Sequence, residues 1–149
     1  MQDKLIEYAY RQSSGEQAPT FHKLLLVHAD DAKAKILRAG LLEKGFHVIV
    51  VETLTDAKSR LLEDMEIELI LCDLSLPDGT GLEFLHTIRD VSDKFKVKNP
   101  PLKLLPFFVL TENNDLMTEY QYRHEGVNDY FVSPINIPEL IRRILFFID

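Results

Sequence analysis

The chain has 149 residues, of which 46% are hydrophobic, so it can form one domain with a buried core and needs no metal or disulfide to hold it. Its 17 Lys and Arg residues against 24 Asp and Glu residues give a net charge of −7, which argues against a nucleic-acid backbone as its main partner. The single cysteine, Cys72, excludes a disulfide framework, and no apolar run reaches the roughly 20 residues that span a bilayer. These features favour a cytoplasmic protein with no membrane partner.

Residues 1–20 are predicted to form an extension ahead of the main domain. The stretch "MQDKLIEYAYRQ" places Leu5, Ile6 and Ala9 on one side of a short amphipathic helix. The stretch "SSGEQAP" that follows has the composition of a linker. The main domain is therefore expected to span residues 21–149.

Five short segments rich in Val, Ile, Leu and Phe each predict a β-strand: "KLLLVHA", "HVIVVET", "IELILCD", "PFFVLT" and "DYFVS". Segments with apolar residues at helical spacing alternate with them, at 31–44, 55–64, 80–90, 115–125 and 138–148. Strands that are apolar throughout, each followed by a helix, indicate a parallel sheet covered on both faces. The sequence thus predicts an α/β fold with a doubly wound five-stranded parallel sheet.

The helix boundaries carry recognisable capping residues. Asp31, Thr55 and Asp115 are predicted to be N-caps, because short polar side chains accept hydrogen bonds from the first free amides of a helix. Pro138 suits the first turn of the last helix, where no backbone donor is needed.

In such sheets ligands bind outside the carboxyl ends of the strands, so the residues at the end of each strand or just after it are the candidate site. They are His28, Ala29, Asp30, Asp73, Thr111, Glu112, Ser133 and Pro134. The segment "HADDAK" after the first strand lacks the glycines of a dinucleotide fingerprint or a P-loop. Nucleotide cofactor chemistry is therefore not expected.

The segment "CDLSLPDGTG" has an Asp closing the third strand, a Pro four residues later and a Gly eight residues later. It resembles the phosphoacceptor motif of the receiver domains of bacterial two-component response regulators. The resemblance covers residues 22–148 and implies a flavodoxin-like fold and a role in two-component or phosphorelay signalling. It places the phosphoacceptor on Asp73.

Two further segments resemble the same family at the ends of the fourth and fifth strands. "VLTE" supplies Thr111 in the place of the hydroxyl residue that holds a phosphoryl oxygen, and "DYFVSP" supplies Tyr130 as the aromatic switch. The resemblance also implies a cis peptide bond before Pro134. For Tyr130 an alternative is left open, in which the ring packs permanently against the fourth helix.

Several positions depart from the family pattern. His28 and Ala29 stand where the family has two acidic Mg²⁺ ligands, which leaves Asp73 and Asp30 as the candidate metal ligands. Ser133 replaces a lysine and cannot pair with a phosphoryl group, and Glu112 replaces a small residue. Mg²⁺ binding is therefore expected to be weak or absent.

Asp73 and His28 each have two interpretations. Asp73 is either a working phosphoacceptor or a strand-end carboxylate that accepts amide hydrogen bonds from its loop. His28 is either a neutral, hydrogen-bonded pocket histidine or a metal ligand or charge surrogate that pairs with Asp73 when protonated. The neutral form of His28 is favoured.

Two surface features point to partners. The segment 89–106 carries Lys94, Lys96, Lys98 and Lys103, which suits a solvated loop or a dock for an acidic partner. Adjacent Phe146 and Phe147 predict at least one outward aromatic ring, as in a homodimer face or a junction to a further segment.

Three functions remain. The favoured one is an atypical receiver that is not an enzyme and acts as a phosphorylation-independent interaction module, with a histidine kinase, an output domain or a second copy as protein partner. The second is a functional receiver phosphorylated on Asp73 by a histidine kinase. The third is a small-ligand enzyme, for which His28 is the candidate base.

Overall fold

The computed structural model of the protein describes residues 22–90 and 102–148. The predicted extension at 1–20 lies outside the described residues, as do Lys94, Lys96 and Lys98 of the predicted basic segment. Strands and helices alternate along the described ranges. They are β1 (His22–Val27), α1 (Asp31–Glu43), β2 (Phe46–Val51), α2 (Leu54–Glu63), β3 (Ile67–Cys72), β4 (Ser75–Leu76), β5 (Gly79–Thr80), α3 (Gly81–Arg89), a 3₁₀ turn (Leu102–Leu104), β6 (Phe107–Thr111), α4 (Leu116–His124), β7 (Asp129–Val132) and α5 (Ile137–Ile148).

The five longer strands form one parallel sheet in the order β2-β1-β3-β6-β7. This confirms the predicted doubly wound fold. The chain moves from β1 to β2 on one side and then crosses to β3 on the other, so the strand order reverses between β1 and β3. Val27 and Cys72 are paired at the ends of these two strands, which brings the residues that follow them together at the edge where ligands bind.

Both faces of the sheet are covered, and the central positions of the strands are apolar on both faces. Neighbouring residues of β1 alternate between two cores, with Leu24 and Leu26 on one face and Leu25 and Val27 on the other. The first face packs against α1 and α5, and the second packs against α2, α3 and α4. No helix among the described residues is long and apolar enough to cross a membrane.

A short antiparallel hairpin of β4 and β5, which the sequence did not predict, lies between Asp73 and α3. It folds the loop after β3 back against the sheet. A Cβ atom on Gly81 would lie 2.7 Å from the carbonyl oxygen of Asp73. Gly81 is therefore the residue that permits the start of α3 to approach Asp73.

Two of the predicted N-caps were wrong. Asp30, not Asp31, caps α1, because Asp30 has the extended backbone that a cap requires and its carboxylate reaches the Lys33 amide. Thr53, not Thr55, caps α2 for the same reason, with its hydroxyl accepting from a first-turn amide at 3.1 Å.

Asp115 occupies the predicted N-cap position of α4. Its carboxylate accepts from the Thr118 hydroxyl at 2.8 Å rather than from a backbone amide. Pro138 lies in the first turn of α5, as predicted.

Candidate functional site

Asp73 lies one residue beyond β3, next to the point where the strand order reverses. Its N–H donates to the carbonyl of Val27 at 3.0 Å, which holds it level with the end of β1. Its Oδ1 accepts the N–H of Leu74 at 2.7 Å. The side chain is 25% exposed. Asp73 therefore accepts a loop amide and keeps part of its carboxylate exposed, and its use as a phosphoacceptor stays a prediction.

His28 is buried beside Asp73. Its backbone N–H donates to the carbonyl of Val51 at 2.9 Å, and its ring nitrogen Nδ1 accepts the backbone N–H of Asp30 at 3.1 Å. Because Nδ1 is an acceptor, the proton of the neutral ring is assigned to Nε2, which lies 3.6 Å from Oδ2 of Asp73. These contacts make His28 a hydrogen-bonded pocket residue, with the lone pair of Nδ1 engaged by the backbone N–H of Asp30.

A lysine that the sequence analysis did not identify lies at the same edge of the sheet. The ammonium of Lys33 is 3.7 Å from Oδ2 of Asp30 and forms an ion pair with the carboxylate of Glu112. Asp30 also accepts the backbone N–H of Lys33, and this bond holds the pKa of Asp30 below its usual value. The sequence could have indicated this ion pair, because Lys33 follows the N-cap residue Asp30 by three positions, the spacing of neighbouring side chains on a helix.

The side chains around Asp73 do not fit the Mg²⁺ site that the family pattern implies. Mg²⁺ requires oxygen ligands in octahedral geometry. Ala29 offers no ligand atom, Nδ1 of His28 already accepts a hydrogen bond, and the carboxylate of Asp30 caps α1. In the part of the chain that the structure describes, no group of three or more His, Cys, Asp or Glu side chains is placed to hold a metal ion.

Thr111, Ser133 and Pro134 meet at the carboxyl ends of β6 and β7. The Thr111 hydroxyl accepts the N–H of Asn113 at 3.0 Å, and the Thr111 carbonyl accepts the N–H of Ser133 at 2.7 Å. The peptide bond between Ser133 and Pro134 is cis. These residues line a pocket of about 470 Å³. Its other lining residues include His28, Lys33 and Glu112, with isoleucine and leucine side chains between them.

Tyr130 lies outside that pocket, within the core beneath α4. It is 5% exposed, and its hydroxyl has no hydrogen-bond partner among the described residues. Burial raises the pKa of Tyr130 to about 12. The ring meets the ring of Tyr122 edge-on, with the centroids 6.2 Å apart. The ring of Tyr130 is therefore turned inward.

Asp78, another residue that the sequence analysis missed, connects the loop after Asp73 to α2. Its carboxylate accepts the N–H of Leu54 at 2.8 Å, and the N–H and hydroxyl of Thr55 at 3.0 and 2.9 Å. The bond from Leu54 is the main reason that the pKa of Asp78 lies below its usual value. Because the two partners are more than twenty residues apart in sequence, no local pattern predicts this contact.

The parallel sheet, the aspartate after β3, the threonine at the end of β6 and the cis proline after β7 together define a class of protein. The chain belongs to the response regulator receiver domain family, whose sequence model matches residues 24–145. The resemblance inferred from the motifs is thereby confirmed.

Curated relatives agree with this assignment. The chain is 31% identical over 121 residues to the swarming motility regulation protein RssB of Serratia marcescens, covering 81% of this chain and 50% of that protein. It is 30% identical over 122 residues to the transcriptional regulatory protein KdpE of Staphylococcus aureus, covering 82% of this chain and 48% of that protein. The chain thus spans about half the length of these relatives.

Solved structures share the fold. A response regulator receiver protein of Pseudomonas putida superimposes with a TM-score of 0.73 at 19% identity, covering 87% of this chain and 99% of that one. The chemotaxis protein CheY4 of Vibrio cholerae superimposes with a TM-score of 0.72 at 19% identity, covering 87% and 100%.

Proposed function

We propose that this receiver domain is an atypical member of its family that acts as a protein-interaction module and does not depend on phosphorylation of Asp73. The observation that carries the proposal is the charge around Asp73. Ser133 is uncharged, and His28 accepts a hydrogen bond at Nδ1 as a neutral ring does. The ammonium of Lys33 is shared between the carboxylates of Asp30 and Glu112.

Phosphoryl transfer to a carboxylate requires positive charge near the transferred group. Negative charge spreads over the three equatorial oxygens of the phosphoryl group in the transition state, and enzymes stabilise it with a divalent cation and a fixed cationic side chain. Loss of one such preorganised partner commonly costs about 10²-fold in rate. A site that lacks both partners should react too slowly for signalling.

Exposed apolar side chains supply surfaces for a protein partner. Leu116, Met117 and Tyr120 on α4 are 77%, 72% and 66% exposed, and Phe146 on α5 is 73% exposed. Grouped apolar side chains on a soluble domain commonly mark protein contacts. The proposed partner is a protein, namely a histidine kinase, an output domain or a second copy of this chain, and neither a nucleic acid nor a membrane.

A second candidate function keeps Asp73 as a phosphoacceptor for a histidine kinase. It is favoured by the exposed face of the Asp73 carboxylate and by the Thr111 hydroxyl at the end of the adjacent strand. Under this alternative, backbone amides and Thr111 would have to stabilise the phosphoryl oxygens without a lysine.

The two functions are separated by incubating the protein with Mg²⁺ and acetyl phosphate and measuring its intact mass. The interaction module predicts no phosphoryl adduct, and no change in the amide NMR spectrum around Thr111 and Tyr130 when beryllofluoride is added. The Asp73→Asn variant is the matched control, because it removes the acceptor oxygen and keeps the size of the side chain.

A mass increase of one phosphoryl group that disappears in Asp73→Asn would overturn the proposal and establish the phosphoacceptor function. Addition of MgCl₂ alone gives an independent readout. The proposal expects no saturable shift of the Leu74 amide, which bonds directly to the Asp73 carboxylate.

A further inference from the structure

The first turn of α3 is held by a side chain from another helix. The first three amides of a helix have no partner within it and must bond elsewhere. Here the first amide donates to the Leu74 carbonyl at 2.8 Å and the third donates to the Thr80 hydroxyl at 3.1 Å, so both partners are local. The second, that of Leu82, donates to the hydroxyl of Tyr122 on α4 at 3.2 Å. A tyrosine 40 residues away thus completes the cap.

The same turn is pressed against the backbone of Asp73. A Cβ atom at Gly81 would lie 2.7 Å from the Asp73 carbonyl oxygen and 3.6 Å from Cε2 of Tyr122. The start of α3 therefore lies between Asp73 and the Tyr122 ring, with little free space on the Asp73 side. Close-packed contacts transmit displacement because they cannot be compressed.

Tyr122 also contacts Tyr130. The two rings meet edge-on with their centroids 6.2 Å apart, and both are buried. The Tyr130 hydroxyl has no hydrogen-bond partner among the described residues, so no hydrogen bond joins it to Thr111. Contact through Tyr122 is thus a continuous packed path between the loop at Asp73 and the ring of Tyr130.

We infer that Tyr122 is a positioning residue that couples the loop after Asp73 to Tyr130 and α4. Its hydroxyl holds the start of α3, and its ring carries any displacement of that turn to Tyr130. The coupling goes beyond the proposed function and does not rest on it, because any change at Asp73, by a partner or by substitution, is expected to travel the same way.

The test combines two substitutions and reads amide NMR shifts. Asp73→Asn perturbs the site without any phosphoryl chemistry, and Tyr122→Phe removes the hydroxyl while keeping the ring. Tyr120→Phe is the matched control, because Tyr120 lies on the same helix and is 66% exposed. The shifts that Asp73→Asn causes are compared near the site, at Leu74, and far from it, at Tyr130 and along α4.

We expect Asp73→Asn to shift the Tyr130 and α4 amides in the otherwise unchanged protein and in the Tyr120→Phe background. In the Tyr122→Phe background these distant shifts should fall to less than half, while the shift at Leu74 persists. Hydrogen exchange of the Leu82 amide should also become about 2- to 10-fold faster in Tyr122→Phe, which corresponds to the loss of one hydrogen bond. Equal distant shifts in the Tyr122→Phe and Tyr120→Phe backgrounds would overturn the inference.

A second measurement needs no change at Tyr122. The aromatic ring resonances of Tyr122 and Tyr120 are recorded with and without Asp73→Asn. The coupling predicts that the Tyr122 ring shifts and the Tyr120 ring does not. Tyr122 ring resonances that do not shift would contradict the proposed coupling, whatever the result of the acetyl phosphate experiment.

Discussion

Gly81 shapes the candidate site because it has no side chain. The start of α3 approaches the Asp73 carbonyl so closely that a Cβ atom would lie 2.7 Å from a backbone oxygen. A backbone atom at a strand end cannot move aside as the tip of a flexible side chain can. In most helices alanine is more stable than glycine by about 0.5–1 kcal/mol, and here the clash outweighs that gain.

Gly81→Ala is therefore expected to lower the free energy of unfolding by about 1–3 kcal/mol, as overpacking does. Gly40→Ala is the matched control. Gly40 lies within α1, and a Cβ atom there would meet the side chain of Ile137 at 3.5 Å, an ordinary contact. We expect Gly40→Ala to raise stability by about 0.5–1 kcal/mol. Urea unfolding measures both values, and a Gly81→Ala variant as stable as the unchanged protein would show that the loop is not close-packed.

The N-terminus of α2 shows how a whole element is attached to the site. Thr53 caps the helix locally. Asp78, which lies in the loop between β3 and α3, accepts two further hydrogen bonds from amides of the first turn of α2. A carboxylate at this end of a helix is also favoured by the helix dipole. Because Asp78 comes five residues after Asp73 in the same loop, the position of α2 and the shape of the site depend on each other.

The Asp78 contacts predict a pH dependence of stability. The hydrogen bonds hold the pKa of Asp78 below its usual value of 3.8, so the folded state prefers the ionised carboxylate. The resulting stabilisation is complete above pH 3.8 and is lost as the pH falls through the lowered pKa of the folded state. Thermal unfolding midpoints measured from pH 5 down to pH 2 should therefore fall less steeply below pH 3.8 in Asp78→Asn than in the unchanged protein.

Asp56→Asn is the control for this measurement. Asp56 lies in the same first turn of α2, and no hydrogen bond to its carboxylate is found among the described residues. It should lower the midpoint at pH 5 by less than Asp78→Asn does. If the two variants behave alike, the contribution of Asp78 is only its charge near the helix end and not its hydrogen bonds.

On the scale of the whole molecule, stability comes from two cores on either side of one sheet. Phe84 on α3 is fully buried and meets Phe107 of β6 edge-on, with centroids 6.0 Å apart. Phe146 on α5 is 73% exposed, as one of the two adjacent phenylalanines was predicted to be. Its ring meets the guanidinium carbon of Arg143 at 5.0 Å from the ring centroid, and the ring of Phe147 edge-on with the centroids 5.3 Å apart.

Phe84→Ala is expected to cost about 3–5 kcal/mol in the free energy of unfolding, since it leaves a cavity in the core. Phe146→Ala removes the same side chain from the surface, where one exposed cation–π contact contributes about 0.5–1 kcal/mol. The comparison is made by urea unfolding with both variants and the unchanged protein at the same concentration. A similar cost for both variants would mean that the α5 face is covered, as in a stable dimer.

Local patterns were sufficient for some features of this protein. Alternating apolar segments predicted the five strands of the parallel sheet and the five α-helices of the described residues, because a buried parallel strand is apolar on both faces and an amphipathic helix repeats every 3.6 residues. The spacing of Asp73, Thr111 and Pro134 relative to the strand ends identified the family. Cap positions were missed by one residue at Asp30 and by two at Thr53, because neighbouring polar residues compete for the same role.

The sequence by itself therefore determined the fold class and which residues reach the carboxyl edge of the sheet, since these follow from apolar periodicity. The resemblance of its motifs to those of receiver domains supplied the family. Only the tertiary structure decided what those residues contact. The bonds from Leu54 to Asp78, from Lys33 to Glu112 and from Leu82 to Tyr122 each join distant parts of the chain. They depend on how helices and loops pack in space, and such packing leaves no repeating signal in the sequence.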